Sequence, residues 1–171
     1  MNSIILNTTF GKSFNPAITS YLLKVGFALL LLFWCAGIFY HFLAVDNTNY
    51  IVSTFLKHTY STVCHQAEHK LIPLDGSNTY LCARCTGIYI GAFFMAVSLL
   101  LINKKISLSL KPLIITSSII LFDVIFVNTG LYNYTNWIAF TSGFLFGAVI
   151  YIYIVQVFVE NMKLINPKKI L

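Results

Sequence analysis

Four long apolar stretches decide what this chain can become. They cover residues 25–45, 86–103, 112–129 and 137–159, and Asp123 is the only formally charged residue in any of them. A helix needs about 20 mostly apolar residues to cross a hydrocarbon layer about 30 Å thick. Inside that layer each backbone N–H and C=O must find its partner within the protein, which favours helices over open sheets. Four such stretches in 171 residues leave too little polar chain for a soluble fold: only 9% of residues are charged, against about 25% in soluble domains. We therefore expect an all-α membrane protein, a four-transmembrane-helix bundle with an extracytoplasmic amphipathic helix and a small hairpin loop.

The basic residues orient the bundle. Lys12 and Lys24 precede the first stretch, Lys104, Lys105 and Lys111 separate the second and third, and Lys163, Lys168 and Lys169 follow the fourth. Lys57, Lys70 and Arg84 are on the other side. Short loops rich in lysine and arginine stay in the cytoplasm, so both termini are expected inside the cell inner membrane and the 46–85 connection outside. The domain plan is a cytoplasmic arm over 1–20, a transmembrane domain over 21–160 and a tail over 161–171. The first stretch is longer than a signal-peptide core and no A-x-A site follows it, which argues against cleavage. The net charge of +6 is explained by this topology. No basic, aromatic-interleaved soluble surface exists that would suit nucleic acid.

The outer connection carries the chemistry. Over residues 50–63, apolar Val52, Leu56, Tyr60 and Val63 recur at helical spacing among polar neighbours, as in a helix lying on a membrane or capping a bundle. Asp75-Gly76 is a turn signal between short apolar pieces, so a hairpin is expected to bring Cys82 back towards Cys64. Cys82-x-x-Cys85 leads into the second span, with Thr86 as a helix start. Two sulfurs at that spacing converge on one metal or on each other. A helix N-terminus and Arg84 both favour the thiolate. Adding Cys64 and His65 completes a three-sulfur, one-nitrogen set suited to one zinc or another transition-metal ion. Adjacent side chains on a helix point about 100° apart, so His65 serves only if the helix ends there. If it continues, His58, His65 and His69 share a face and His58 or His69 substitutes. Gln66 or Glu68 would then orient the ligating imidazole. A static disulfide is the plain alternative, permitted by an oxidising compartment. Cys35, deep in the first span, is read as a small hydrophobe, and His41 near its outer end as an interfacial side chain.

Asp123 is costly in a span, by about 2.5–3.5 kcal/mol on insertion scales. Its natural partner is Arg84, the only arginine, and together they are the candidate catalytic or structural pair under the cysteines. Asn128 and Asn136 are read as loop-end hydrogen-bonding groups. Gly87-x-x-x-Gly91 and Gly143-x-x-x-Gly147 allow close helix contact. They are expected to join the second and fourth spans, the alternative being a homodimer or a seam to a membrane-complex partner.

At Cys64-His65-Gln66 and at Leu81-Cys82-Ala83-Arg84-Cys85-Thr86-Gly87-Ile88-Tyr89-Ile90-Gly91 the chain resembles a family of small prokaryotic integral-membrane proteins, domain of unknown function 2085. Asp123 and Thr141-x-Gly143 are similar to its later polar and glycine positions. A basic residue of that pattern is replaced near Ala139. The resemblance implies a multi-span protein with an outer Cys/His motif and no established activity. Three functions follow from the residues: an extracytoplasmic metal site of structural or catalytic role, a membrane thiol–disulfide oxidoreductase using Cys82 and Cys85, or a non-enzymatic assembly or transport subunit. No cofactor-binding motif is visible.

Overall fold

The computed structural model describes residues 16–43, 49–74, 77–102 and 109–165. Among these residues six helices and one hairpin follow in order: α1 (Pro16–Ile38), α2 (Tyr40–Leu43), α3 (Tyr50–Ser61), a 3-10 turn (Glu68–Lys70), β1 (Leu71–Leu74), β2 (Ser77–Cys82), α4 (Ala83–Leu101), α5 (Lys111–Asn128) and α6 (Asn136–Ile165). Among the described residues, four segments are long and apolar enough to cross a membrane: Ser20–Ile38, Ala83–Leu101, Lys111–Asn128 and Asn136–Phe158. The expected all-α membrane bundle is therefore the architecture observed, with α3 and the hairpin gathered at one end.

The first span is shifted from its expected place. Its helix begins at Pro16 and stops at Ile38, whereas the apolar run suggested 25–45. Proline is favoured in a helix's first turn, where its missing N–H is not needed, and Lys24 can extend its charge towards the membrane edge from within the helix. Residues 16–20 of the expected arm thus belong to α1, while 1–15 lie outside the described residues, as do 44–48 and the basic 103–108 connection. At the other end α6 runs for 30 residues, about 45 Å at 1.5 Å per residue, and so continues past the membrane.

α4 and α6 form the central pair, with α1 packed on α4 and α5 on α6. Four glycines make the central contact possible. A Cβ on Gly87 would stand 2.3 Å from the Phe140 carbonyl oxygen, and one on Gly91 2.1 Å from that of Phe144. Reciprocally, Gly143 meets the Arg84 carbonyl oxygen at 2.3 Å and Gly147 that of Ile88 at 2.0 Å. Lipid supplies no hydrophobic force between helices, so this close backbone packing is what binds them. The expected seam between second and fourth spans is present. A homodimer or complex partner would have to use a different surface, because these glycines face each other within one chain. Below the seam, Ala28, Ala92, Ala96, Leu99, Tyr151, Ile152 and Val155 form a core of α1, α4 and α6.

Helix α3 is tied down by polar contacts. The Tyr60 hydroxyl donates to the Trp34 carbonyl of α1 at 2.7 Å, and only a glycine at 37 leaves room for it, since a Cβ there would be 2.3 Å from that oxygen. Ser53 Oγ and Tyr80 Oη, 2.8 Å apart, join α3 to β2. β1 and β2 pair antiparallel, Leu71 opposite Cys82 and Pro73 opposite Asn78, with an irregularity at Ile72. There the Ile72 N–H donates to Thr79 Oγ1 instead. The expected hairpin is thus formed, while its Asp75-Gly76 turn lies outside the described residues.

Candidate metal centre

Three cysteines meet at the head of α4, each delivered by a different local device. Cys64 follows α3 by one turn, its N–H bonded to the Tyr60 carbonyl at 3.1 Å. Cys82 ends β2 and is the N-cap of α4, with extended backbone at φ −64° and ψ 156°. Cys85 stands three residues on, the position whose side chain faces the N-cap across the first turn. The helix therefore starts at Ala83. Thr86, expected as its start, is fully buried and donates to the Leu81 carbonyl at 3.4 Å. The three Sγ atoms all lie within 4.8 Å of one another, and every cysteine carries a free thiol. Around a tetrahedral zinc with Zn–S of about 2.3 Å, sulfurs are about 3.8 Å apart, so a shift of an ångström or less would complete that geometry.

Within the cluster the thiolate form is favoured most at Cys64. Hydrogen bonds from the Cys82 thiol and then the Cys85 thiol hold its sulfur well below the usual thiol range, outweighing burial. The Cys82 N–H also points at it, 3.4 Å from Sγ. Donation to Cys64 raises Cys82 in turn. The two thiols lead this effect, and the Cys82 N–H at the N-terminus of α4 adds to it, without the contribution that the sequence assigned in part to Arg84.

Arg84 is otherwise engaged. Its Nη2 donates to Asp123 Oδ2, joining α4 to α5, and the Tyr132 hydroxyl donates to Asp123 Oδ1. The expected pair is therefore formed, with Asp123 buried beneath the cluster. Asn136 acts at the loop end as read, its Nδ2 donating to the Leu71 carbonyl at 3.2 Å, whereas Asn128 is exposed. Arg84 Nε, the Tyr134 hydroxyl and Asn136 Oδ1 are buried without a protein partner, three of five such atoms among the described residues. Burial first, and then Cys82, pushes the Tyr134 phenol up to about 12.

A family described as a predicted membrane protein (DUF2085) matches residues 64–153. The match begins on Cys64 and takes in Cys82, Cys85, Asp123 and both glycine pairs. The chain belongs to this family. No curated protein and no solved structure matches it.

Within the DUF2085 segment the histidines stand apart from the sulfurs. His65 is exposed although its neighbour Cys64 is buried, and His58 and His69 are exposed as well. None joins the three-sulfur group. The shared histidine face never forms, because α3 stops at Ser61. His69 instead packs edge-on against Tyr134, whose ring also lies 5.6 Å from Lys70 Nζ.

Gln66 has a different task from orienting a histidine. It is the one non-glycine residue with positive φ among those described, at 49°. Its N–H is the last of the groups that lower the Cys64 thiol. Its side-chain amide donates to the Tyr80 carbonyl at 2.9 Å and the Lys57 carbonyl at 3.2 Å, which fixes the reversal between α3 and β2. A β-branched side chain at this φ is strained by about 1–3 kcal/mol. We predict that Cys64 reacts with maleimide slowest in the wild type, faster in Gln66→Gly, which keeps only the backbone turn, and fastest in Gln66→Val. Equal rates in all three would show that the turn does not position Cys64.

Proposed function

We propose that this DUF2085 protein is a cytoplasmic-membrane protein with both termini inside, which holds one transition-metal ion, zinc by preference, at its outer face through Cys64, Cys82 and Cys85. The observation that carries the reading is the convergence of three unbridged cysteine sulfurs within 4.8 Å. Thiolates select zinc and other soft ions. The lysines flanking the spans support the orientation. Three protein ligands are the count found in sites that keep one position for an exogenous molecule; His65, next to Cys64, is the protein's own candidate for that place. Arg84 and Asp123 form the polar floor of the same site.

Purification in detergent without oxygen, followed by elemental analysis and thiol titration, tests this. About one ion per chain is expected, lost in Cys82→Ser and retained in Cys35→Ser, whose sulfur is buried in α1. A metal-free protein with a reversible two-electron thiol couple would overturn the reading in favour of a membrane thiol–disulfide oxidoreductase. A metal-free protein without such a couple would leave an assembly or transport role.

A further inference from the structure

We infer that α3 is an in-plane membrane helix, seated in the acyl–headgroup boundary of the leaflet at the cysteine end, and that this seating keeps Cys64 in the sulfur cluster. The helix docks where a span ends. Its Tyr60 hydroxyl bonds to Trp34 and its side chain fills the space left at Gly37, both in the last turn of the Ser20–Ile38 span. Hydrocarbon gives way to headgroups at that level.

At 100° per residue the surface of α3 divides into three sectors. Ser53, Leu56 and Tyr60 face the protein. Thr54, Lys57, His58 and Ser61 form an exposed polar sector. Between them lies an apolar sector that nothing among the described residues covers: Ile51 is 76% exposed, Phe55 68% and Val52 36%. Thr59 and Thr62 fall within this sector, and each hydroxyl is already bonded to a helix carbonyl, that of Phe55 or of Thr59. Such groups enter an apolar medium without leaving a donor unpaired. A helix with one apolar and one polar face, carrying an aromatic side chain and a lysine, matches the interfacial type. The surface is also continuous in kind with α1 beneath it, which presents Leu29, Leu30 and Phe33 outward and which lipid must cover in a membrane protein. Lipid is thus the occupant that the surroundings favour over a second copy of the chain.

Cys64 inherits the placement of α3. Val63 and Cys64 hang from the Tyr60 carbonyl by N–H bonds of 3.2 and 3.1 Å, so displacing the helix displaces the sulfur. This holds for the reduced thiols with or without a metal, and its failure is distinguishable from failure of the metal reading.

The test uses the full chain in vesicles of phosphatidylcholine and phosphatidylglycerol. A photoreactive benzophenone side chain at position 55 should give a protein–lipid adduct, and the same group at position 61 should give none. A chain–chain adduct at 55, equal lipid labelling at both positions, or no adduct at either would overturn the lipid assignment. Phe55→Glu should speed maleimide labelling of Cys64 roughly tenfold, as local opening exposes a buried group, and Phe55→Leu should leave it unchanged. Unaltered labelling in Phe55→Glu would overturn the coupling to Cys64.

Discussion

Gly147→Val should unfold or severely loosen the protein, the largest effect we expect from any single substitution. A Cβ at position 147 would lie 2.0 Å from the Ile88 carbonyl oxygen and 2.7 Å from its carbon. Both atoms belong to the backbone of α4 and cannot swing away as a side-chain tip would. Reaching ordinary contact at about 3.4 Å requires the helices to part by about 1.4 Å, which forfeits much of the dispersion energy along the seam. Overpacking costs about 1–3 kcal/mol where side chains can yield, so Gly147→Ala should cost at least that and valine more. The damage should spread to the cysteine end. Arg84 rides on α4 while Asp123 is carried by α5, which packs on α6, so opening the seam draws the ion pair apart. Gly26→Ala is the internal control: a Cβ there meets nothing within 4 Å, and alanine is the better helix former by about 1 kcal/mol. Thermal unfolding in detergent should place Gly26→Ala at or above wild type and Gly147→Val far below it. Equal midpoints for the two would show that the α4–α6 contact does not hold the bundle.

Features governed by one dominant force were legible in the chain. Span count follows from apolar length, and a membrane gives no alternative use for four such stretches. The Arg84–Asp123 pair was legible because one carboxylate inside a span and one arginine at the same level leave little choice. The glycine seam was legible since a four-residue repeat puts small residues on one helix face. What escaped notice depends on where the backbone turns. The histidine ligands rested on α3 either ending at Cys64 or continuing past it, whereas it ends at Ser61 and the chain reverses at Gln66. Glutamine carries no signal for positive φ, so the reversal was not visible. Tyr132 was missed for a related reason: its bond to Asp123 spans a loop with no periodicity. The first span was misplaced because apolar content marks the lipid-soluble region, while Pro16 marks where the helix starts.

Asp123→Ala should be the most damaging change at the ion pair, and the order of its companions separates charge from shape. The carboxylate side chain is only 7% exposed and that of Arg84 21%. Removing one partner of a buried pair costs about 3–5 kcal/mol, mostly because the other charge is left uncompensated. Partial exposure of Arg84 puts the expectation near the lower bound, about 3 kcal/mol. Asp123→Asn keeps the shape and an acceptor oxygen, so about half that loss is expected. Tyr132→Phe removes one hydrogen bond to a charged group, worth about 1.5–3 kcal/mol at most. The decisive variant is Arg84→Met with Asp123→Leu. With no charge left to desolvate, apolar replacements of similar volume are often neutral, and in a bilayer the carboxylate's insertion penalty of about 2.5–3.5 kcal/mol disappears as well. The double variant should therefore be more stable than Asp123→Ala alone, although it carries one substitution more. Because Arg84 lies between Cys82 and Cys85, thiol titration of the same proteins reports on the cluster. If the double variant regains stability and keeps its three reduced, protected sulfurs, the pair serves as an anchor. If it regains stability while metal retention is lost, Arg84 and Asp123 belong to the site itself. A double variant that loses as much as Arg84→Met and Asp123→Leu added together would show that the charges do not stabilise each other.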